Sequence, residues 1–184
     1  AAISPFKGRY NLAIIDLEKR DVKRITGFSD TDVLGFQWIS DERITFGIGD
    51  TLEAAGQARF RGWFLIDSDG SRPNRVDEKI PGFTVVATRT GVKDEIIIGA
   101  NLRMREFQDL YRYNVRTGER TMLTFDSPGN VTGWVMDRQF VPRVAYSRES
   151  GRTVIWYREG ADAKWTQFWE GLADDSHPRP ASLD

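Results

Sequence analysis

The sequence predicts an all-β fold of recurring antiparallel four-stranded sheets, and three observations carry that reading. Short apolar runs alternate with a period of two, each run ends in a polar turn, and the paired runs return every 44 to 51 residues. The stretch Gln37 to Asp50, Q-W-I-S-D-E-R-I-T-F-G-I-G-D, shows the pattern most plainly. An aromatic run ends at Ser40-Asp41-Glu42, residues suited to a tight turn, and a second β-rich run starts at Arg43. Ile44, Phe46 and Ile48 fall on one face of that run, and Arg43, Thr45 and Gly47 on the other. One hairpin is too little to stand alone in water, so it needs others to pack against.

In chain order, Leu12 to Thr26 reads as an apolar strand, a charged turn at Glu18 to Asp21, and a strand with Val22 and Ile25. The same hairpin returns as Trp63 to Val76, as Leu110 to Leu123 and, more degenerate, as Val154 to Phe168 with its turn at Gly160 to Lys164. Aligning Asp16, Asp67, Asn114 and Arg158 gives spacings of 51, 47 and 44 residues. Between these hairpins lies a second family: Leu34 to Ile48, Thr84 to Ala100 with a turn at Gly91 to Asp94, and Val131 to Ser147 with a turn at Asp137 to Gln139. Ile96-Ile97-Ile98 is a continuous apolar run of the kind a strand buried on both faces shows.

Four strands in about 48 residues is the unit of a β-propeller blade. The expected architecture is a partial β-propeller over residues 1–171. It comprises a two-stranded half blade at 10–26 and blades at about 33–76, 83–124 and 131–169. The other two strands of the half blade are expected upstream of Ala1. Since propellers close with about four to eight blades, three and a half read as a piece of a larger ring. Residues 50–62 form a longer connection with room for a short helix. Residues 172–184, with Pro178 and Pro180, form an irregular tail.

Composition narrows the functional classes. Twenty-six basic residues against 27 acidic ones leave a net charge of -1, which lacks the excess positive charge of a duplex-DNA binder. No apolar run approaches the roughly 20 residues of a membrane-spanning helix. The absence of cysteine removes disulfides and thiolate metal sites and leaves bacterial cytoplasm and periplasm equally open.

Trp38 to Phe46, W-I-S-D-E-R-I-T-F, resembles the core of TolB-like propeller repeats. Taken with Asp109 to Arg120, D-L-Y-R-Y-N-V-R-T-G-E-R, the chain resembles the amino-terminal propeller of prolyl oligopeptidase family serine peptidases. In that family the catalytic machinery resides in a separate α/β-hydrolase domain. The resemblance therefore implies a non-catalytic propeller that docks a hydrolase domain, caps the active site and filters substrates by size. The alternative is a stand-alone TolB-like module that docks a protein or peptide on a loop face. Unpaired sheet edges are expected to drive self-association.

The residues themselves supply no catalytic, cofactor-binding or metal-binding set. A serine hydrolase needs Gly-x-Ser-x-Gly followed by an acid and a His, and Gly27-Phe28-Ser29-Asp30-Thr31 lacks the second Gly. His177, the only histidine, lies in the Pro-flanked tail with no acid fixed beside it. Asp67-Ser68-Asp69-Gly70 has the alternating carboxylates of a calcium loop but not its terminal bidentate Glu, so a structural turn is expected. The six tryptophans, Trp38, Trp63, Trp134, Trp156, Trp165 and Trp169, mostly fall at blade-like spacing and read as packing between sheets. Arg103-Met104-Arg105-Glu106-Phe107 reads as a solvated loop on one face, where a partner has access.

Overall fold

The computed structural model describes residues 1–52, 59–88, 92 and 94–172. Among these residues there are fifteen strands and no helix, so none is long and apolar enough to cross a membrane. The fold is a partial β-propeller of antiparallel sheets. Unit 1 holds β1 (Ala2–Phe6), β2 (Arg9–Asp16) and β3 (Asp21–Arg24). Unit 2 holds β4 (Asp32–Ser40), β5 (Arg43–Asp50), β6 (Arg59–Asp67) and β7 (Asn74–Arg75). Unit 3 holds β8 (Thr84–Thr88), β9 (Glu95–Ala100), β10 (Asp109–Asn114) and β11 (Arg120–Met122). Unit 4 holds β12 (Val131–Met136), β13 (Pro142–Glu149), β14 (Arg152–Tyr157) and β15 (Thr166–Leu172). Within every sheet the strands lie side by side in sequence order.

Two expectations need correction at the start of the chain and after β5. The opening unit has three strands rather than two, because Ala2–Phe6 pairs with β2 from Ala2↔Ala13 to Phe6↔Arg9. Pro5 hides this strand from a pattern reading, since proline is tolerated in a sheet only where no ladder donor is needed. The connection expected over residues 50–62 is strand at both its ends: β5 runs to Asp50 and β6 begins at Arg59. The short helix and the tail 173–184 lie outside the described residues, while Leu172 closes β15.

The sheets bury apolar side chains on both faces, which is why the central strands are so apolar. Every residue of β5 is buried. Consecutive residues of β6 point into different cores: Ile66 joins Leu12, Ile25, Val33, Ile44, Phe46 and Ile48 between units 1 and 2. Leu65 joins Ile39, Val76, Ile80, Phe83, Ile96, Ile98, Tyr111 and Tyr113 between units 2 and 3. Ile97, on the opposite face of β9 from its neighbours, is also fully buried, as the unbroken Ile96-Ile97-Ile98 run requires.

Two local devices repeat from unit to unit. Leu12 N donates to Thr26 Oγ1 at 2.8 Å, and Thr26 Oγ1 bonds Asn11 Oδ1 at 2.9 Å. Leu110 N donates to Thr124 Oγ1 at 3.1 Å, and Thr124 Oγ1 bonds Asp109 Oδ1 at 2.8 Å. In unit 2 the same backbone place is served by Asp77, which accepts from Trp63 N at 3.1 Å. At the other end of these strands Asp16 Oδ1 accepts from the amides of Glu18 and Lys19, and Asn114 Oδ1 from those of Arg116 and Thr117. These are Asx turns that close the hairpins.

The β1–β2 turn fixes which groups face outward from the first sheet. Lys7 (φ 51°) and Gly8 (φ 78°) are both left-handed, the signature of a two-residue type I′ turn, so Phe6 and Arg9 form a hydrogen-bonded pair. The next pair, Pro5↔Tyr10, then has its backbone groups turned away from the ladder. Tyr10 N agrees, since it reaches Asp32 Oδ1 at 2.8 Å, and Leu12 N two residues on reaches Thr26. Pro5 and Ile3 therefore present their polar groups to the open edge, where proline costs no ladder bond.

Among the buried polar atoms left unmatched in the described residues is the Tyr111 hydroxyl. Tyr111 is 5% exposed and its hydroxyl has no hydrogen-bond partner among the described residues; burial pushes its pKa up. Tyr111→Phe is expected to be neutral or to stabilise by up to about 1 kcal/mol, because it removes a buried polar atom without opening a cavity. A urea melt checks this, and a loss above about 1 kcal/mol would mean the hydroxyl is satisfied in solution.

Candidate functional site

The starts of β2, β4 and β6 and the end of β5 meet on one rim of units 1 and 2. There Arg9 Nη1 bridges Asp32 at 3.0 Å and Asp50 at 2.8 Å. Asp32 also accepts from Tyr10 N at 2.8 Å, Thr51 N at 3.1 Å and Thr51 Oγ1 at 2.7 Å. Asp50 accepts from Leu52 N at 3.0 Å and Arg61 at 3.2 Å. Burial would raise the pKa of Asp32, but the hydrogen bonds from Thr51 and Tyr10 and the Arg9 guanidinium outweigh it and hold it at about 2. Asp50 is lowered as well, chiefly by Arg9. A general acid or base works best with a pKa near the operating pH, and this cluster drives its carboxylates the other way. It acts as a fastener between units 1 and 2.

The same rim in unit 3 is built around Asp109. Arg103 holds it through Nε at 2.9 Å and Nη2 at 2.6 Å, and also donates to Phe125 O at 3.1 Å and Ser127 Oγ at 2.9 Å. Asn101 Nδ2 ties back to Arg105 O at 2.9 Å. The run Arg103 to Phe107, expected to be a solvated loop, is therefore anchored by its first residue. Met104, Arg105 and Glu106 remain exposed.

Large apolar side chains collect on this rim. Tyr10, Leu52, Phe60, Met104 and Phe125 are all exposed, Leu52 by 70% and Phe125 by 82%. Beneath Phe60 runs a line of rings into the core: Phe60 to Trp63 at 5.4 Å, Trp63 to Phe83 at 6.3 Å, and Phe83 to Tyr113 at 6.3 Å. Sequence reasoning reached one of these five, Met104, in the run Arg103 to Phe107, and missed the other four. They stand at positions 10, 52, 60 and 125, with no local spacing that joins them. A further local hint is Phe60 standing between Arg59 and Arg61, an apolar ring kept among charges.

The opposite rim is charged. Arg43, 4% exposed, pairs with Asp67, 4% exposed, and Arg72 and Ser71 also reach Asp67. Burial would raise the pKa of Asp67, yet Arg43 and Arg72 lower it. Asp69 Oδ1 takes Ser71 N at 2.8 Å, and Gly70 N bonds Asp67 O at 2.8 Å. Asp67 to Gly70 is thus a hairpin turn whose carboxylates are engaged by guanidinium and amide. Arg116 joins units 2 and 3 by bonding Asp94 at 2.6 Å and Glu42 at 3.3 Å.

The remaining sequence candidates scatter. Ser29 is exposed in the link between β3 and β4. His177 lies outside the described residues. Trp63 packs between sheets as expected, whereas Trp38 is 36% exposed. Trp134 donates to Gln108 O at 3.0 Å, tying unit 4 to unit 3, and its ring lies 5.8 Å from Trp165. Arg158 places its guanidinium 4.5 Å from the centre of the Trp165 ring and reaches Asp126 at 2.9 Å. Trp156 donates to Ser147 Oγ at 2.8 Å, and Trp169 sits half-buried on β15.

No protein-family model matches the chain, and no curated protein matches it. Among solved structures it is similar to TolB from Acinetobacter baumannii, with a TM-score of 0.47 and 15% identity. That likeness covers 86% of this chain but 37% of the TolB chain, so the sequence spans well under half of that protein's length.

Proposed function

We propose that this chain is a non-catalytic, protein-docking propeller module whose contact face is the rim bearing Tyr10, Leu52, Phe60, Met104 and Phe125. The carrying observation is that five large apolar side chains stand exposed at strand ends of the rim where Arg9 pairs with Asp32 and Asp50 and Arg103 with Asp109. A rigid, partly apolar surface is what a protein partner uses, since burying it costs little ordering. The partner we infer is an α/β-hydrolase domain of the same parent polypeptide. What supports that finer reading is the resemblance of Asp109 to Arg120 to prolyl oligopeptidase propellers, a segment that here folds as β10, its Asx turn and β11.

Sequencing the parent reading frame past Asp184 tests the finer reading. Gly-x-Ser-x-Gly followed by an acid and a His, in that order, supports it. A stop codon there leaves the stand-alone TolB-like interaction module. With a hydrolase domain in hand, titration calorimetry should show at least about tenfold weaker binding for a Leu52→Ser, Phe125→Ser double variant, since both side chains are exposed and their loss leaves the fold intact. Equal affinity would move the contact face elsewhere. Labelling of the isolated chain by a serine-directed fluorophosphonate would overturn the non-catalytic reading.

A further inference from the structure

We propose, resting on the docking reading above, that Arg103 is the positioning residue of the contact face and holds Met104 and Phe125 outward for an apolar protein partner. Its guanidinium engages three parts of the chain at once. Nε and Nη2 clasp the buried Asp109 at the start of β10, at 2.9 and 2.6 Å, in the forked geometry that suits a carboxylate. Nη1 donates to Phe125 O at 3.1 Å and Nη2 to Ser127 Oγ at 2.9 Å. The loop before β10 and the connection after β11 are thereby pinned to one side chain. Met104 is fixed from both directions, since Arg103 precedes it and Asn101 Nδ2 holds the carbonyl of Arg105 at 2.9 Å. Met104 lies between β9 and β10 and Phe125 between β11 and β12, so both belong to connections whose flanking strands are all in place.

Unit 1 shows the same place built without such an arginine. Asn11, which bonds Thr26 as Asp109 bonds Thr124, accepts from Phe28 N at 2.7 Å and donates to Phe28 O at 3.0 Å. Phe28 stands two residues after Thr26, and its ring packs on the core 6.3 Å from Phe46. Phe125 follows Thr124 directly, and its ring is 82% exposed. An ionised carboxylate has no proton to give a carbonyl, so in unit 3 the donor to Phe125 O comes from Arg103 and the ring stays outside. An aromatic ring held in water by charge-assisted hydrogen bonds suits a protein contact, because little ordering remains to be done on binding. Met104, on the segment tied to it, adapts its unbranched side chain to the partner's shape.

Position and docking are read separately. In Arg103→Gln the Ser127 amide, which bonds Thr124 O at 3.1 Å, should exchange at least about tenfold faster while the amides of β9 keep their protection. The docking probe is the hydrolase domain encoded past Asp184, titrated by calorimetry, and the same variant should bind it about tenfold more weakly. Arg103→Lys should not restore binding, because one ammonium cannot serve Asp109, Phe125 O and Ser127 Oγ as a planar fork does. If Arg103→Gln fails to fold because the buried Asp109 carboxylate is left unpaired, adding Asp109→Asn removes that charge. The double variant should still show the faster Ser127 exchange and the tenfold weaker docking, each of about the size given for the single one. An unchanged Ser127 exchange rate overturns the proposal, as does full rescue by lysine. Faster exchange with undiminished docking overturns the role of Arg103 alone, whereas failure of the unaltered protein to bind the probe overturns the docking face itself.

Discussion

Replacing Phe46 by Ala is expected to destabilise the protein by about 3–5 kcal/mol, the range for truncating a buried aromatic ring. Phe46 is 1% exposed and lies between the rings of Phe28 and Phe64, with centroids 6.3 and 5.6 Å away. Its neighbours in the core come from β2, β4, β5 and β6, so the ring joins two sheets rather than filling one. In an array of stacked repeats stability is close to a sum of intrinsic and interface contributions. The Phe46→Ala loss should therefore appear as uncoupling: hydrogen exchange in β1–β3 should quicken more than exchange in β9 and β10. Leu17→Ala, in an exposed turn, should stay within about 0.5 kcal/mol. A Phe46→Ala loss below about 1 kcal/mol would mean that units 1 and 2 do not share this core in solution.

The parts of this fold that the sequence reveals are those encoded locally. Period-two alternation marks β5, and the Asp or Asn at 16 and 114 marks hairpin turns because its side-chain oxygen accepts from amides two and three residues on. Repetition of these local signals at a nearly fixed interval is enough to predict a stack of four-stranded sheets. What stays hidden is encoded between distant residues. Arg9, Asp32 and Asp50 look like unrelated surface charges until β2, β4 and β5 converge on one rim. Arg103 reads as one more loop cation until Asp109, Phe125 and Ser127 surround it. The strand Ala2–Phe6 is concealed by Pro5, whose tolerance depends on which edge of the strand its nitrogen faces. The apolar rim is hidden for the same reason, since residues scattered along the chain come to share a rim only once the strands are arranged in sheets. The candidate site is thus a property of tertiary assembly, whereas the repeat is a property of the chain.

Removing the carboxylate of Asp32 should be among the costliest polar changes the protein can suffer. Asp32 is 1% exposed and receives bonds from Arg9, Tyr10 N, Thr51 N and Thr51 Oγ1. Asp32→Ala strands those donors and is expected to cost about 3–5 kcal/mol, as breaking a buried charge pair does. Asp32→Asn keeps the shape and separates charge from packing. Because the folded pKa lies at about 2, below the ordinary carboxylate value of 3.8, the charged form favours folding. That contribution, on the order of 2 kcal/mol, is fully present above about pH 4 and is lost as pH falls through about 2. The gap in urea stability between the native protein and Asp32→Asn should therefore be constant from pH 7 to about 5 and should narrow between about pH 4 and 2. Asp50, Asp67 and Asp137 are also lowered by their arginine and backbone partners, so both proteins lose stability in acid, and the narrowing of the gap isolates Asp32. Parallel curves down to pH 2 would show that Asp32 is not charged and paired in the folded state. The rim would then lose the fastener that ties β2 to β4 and β5 through Arg9.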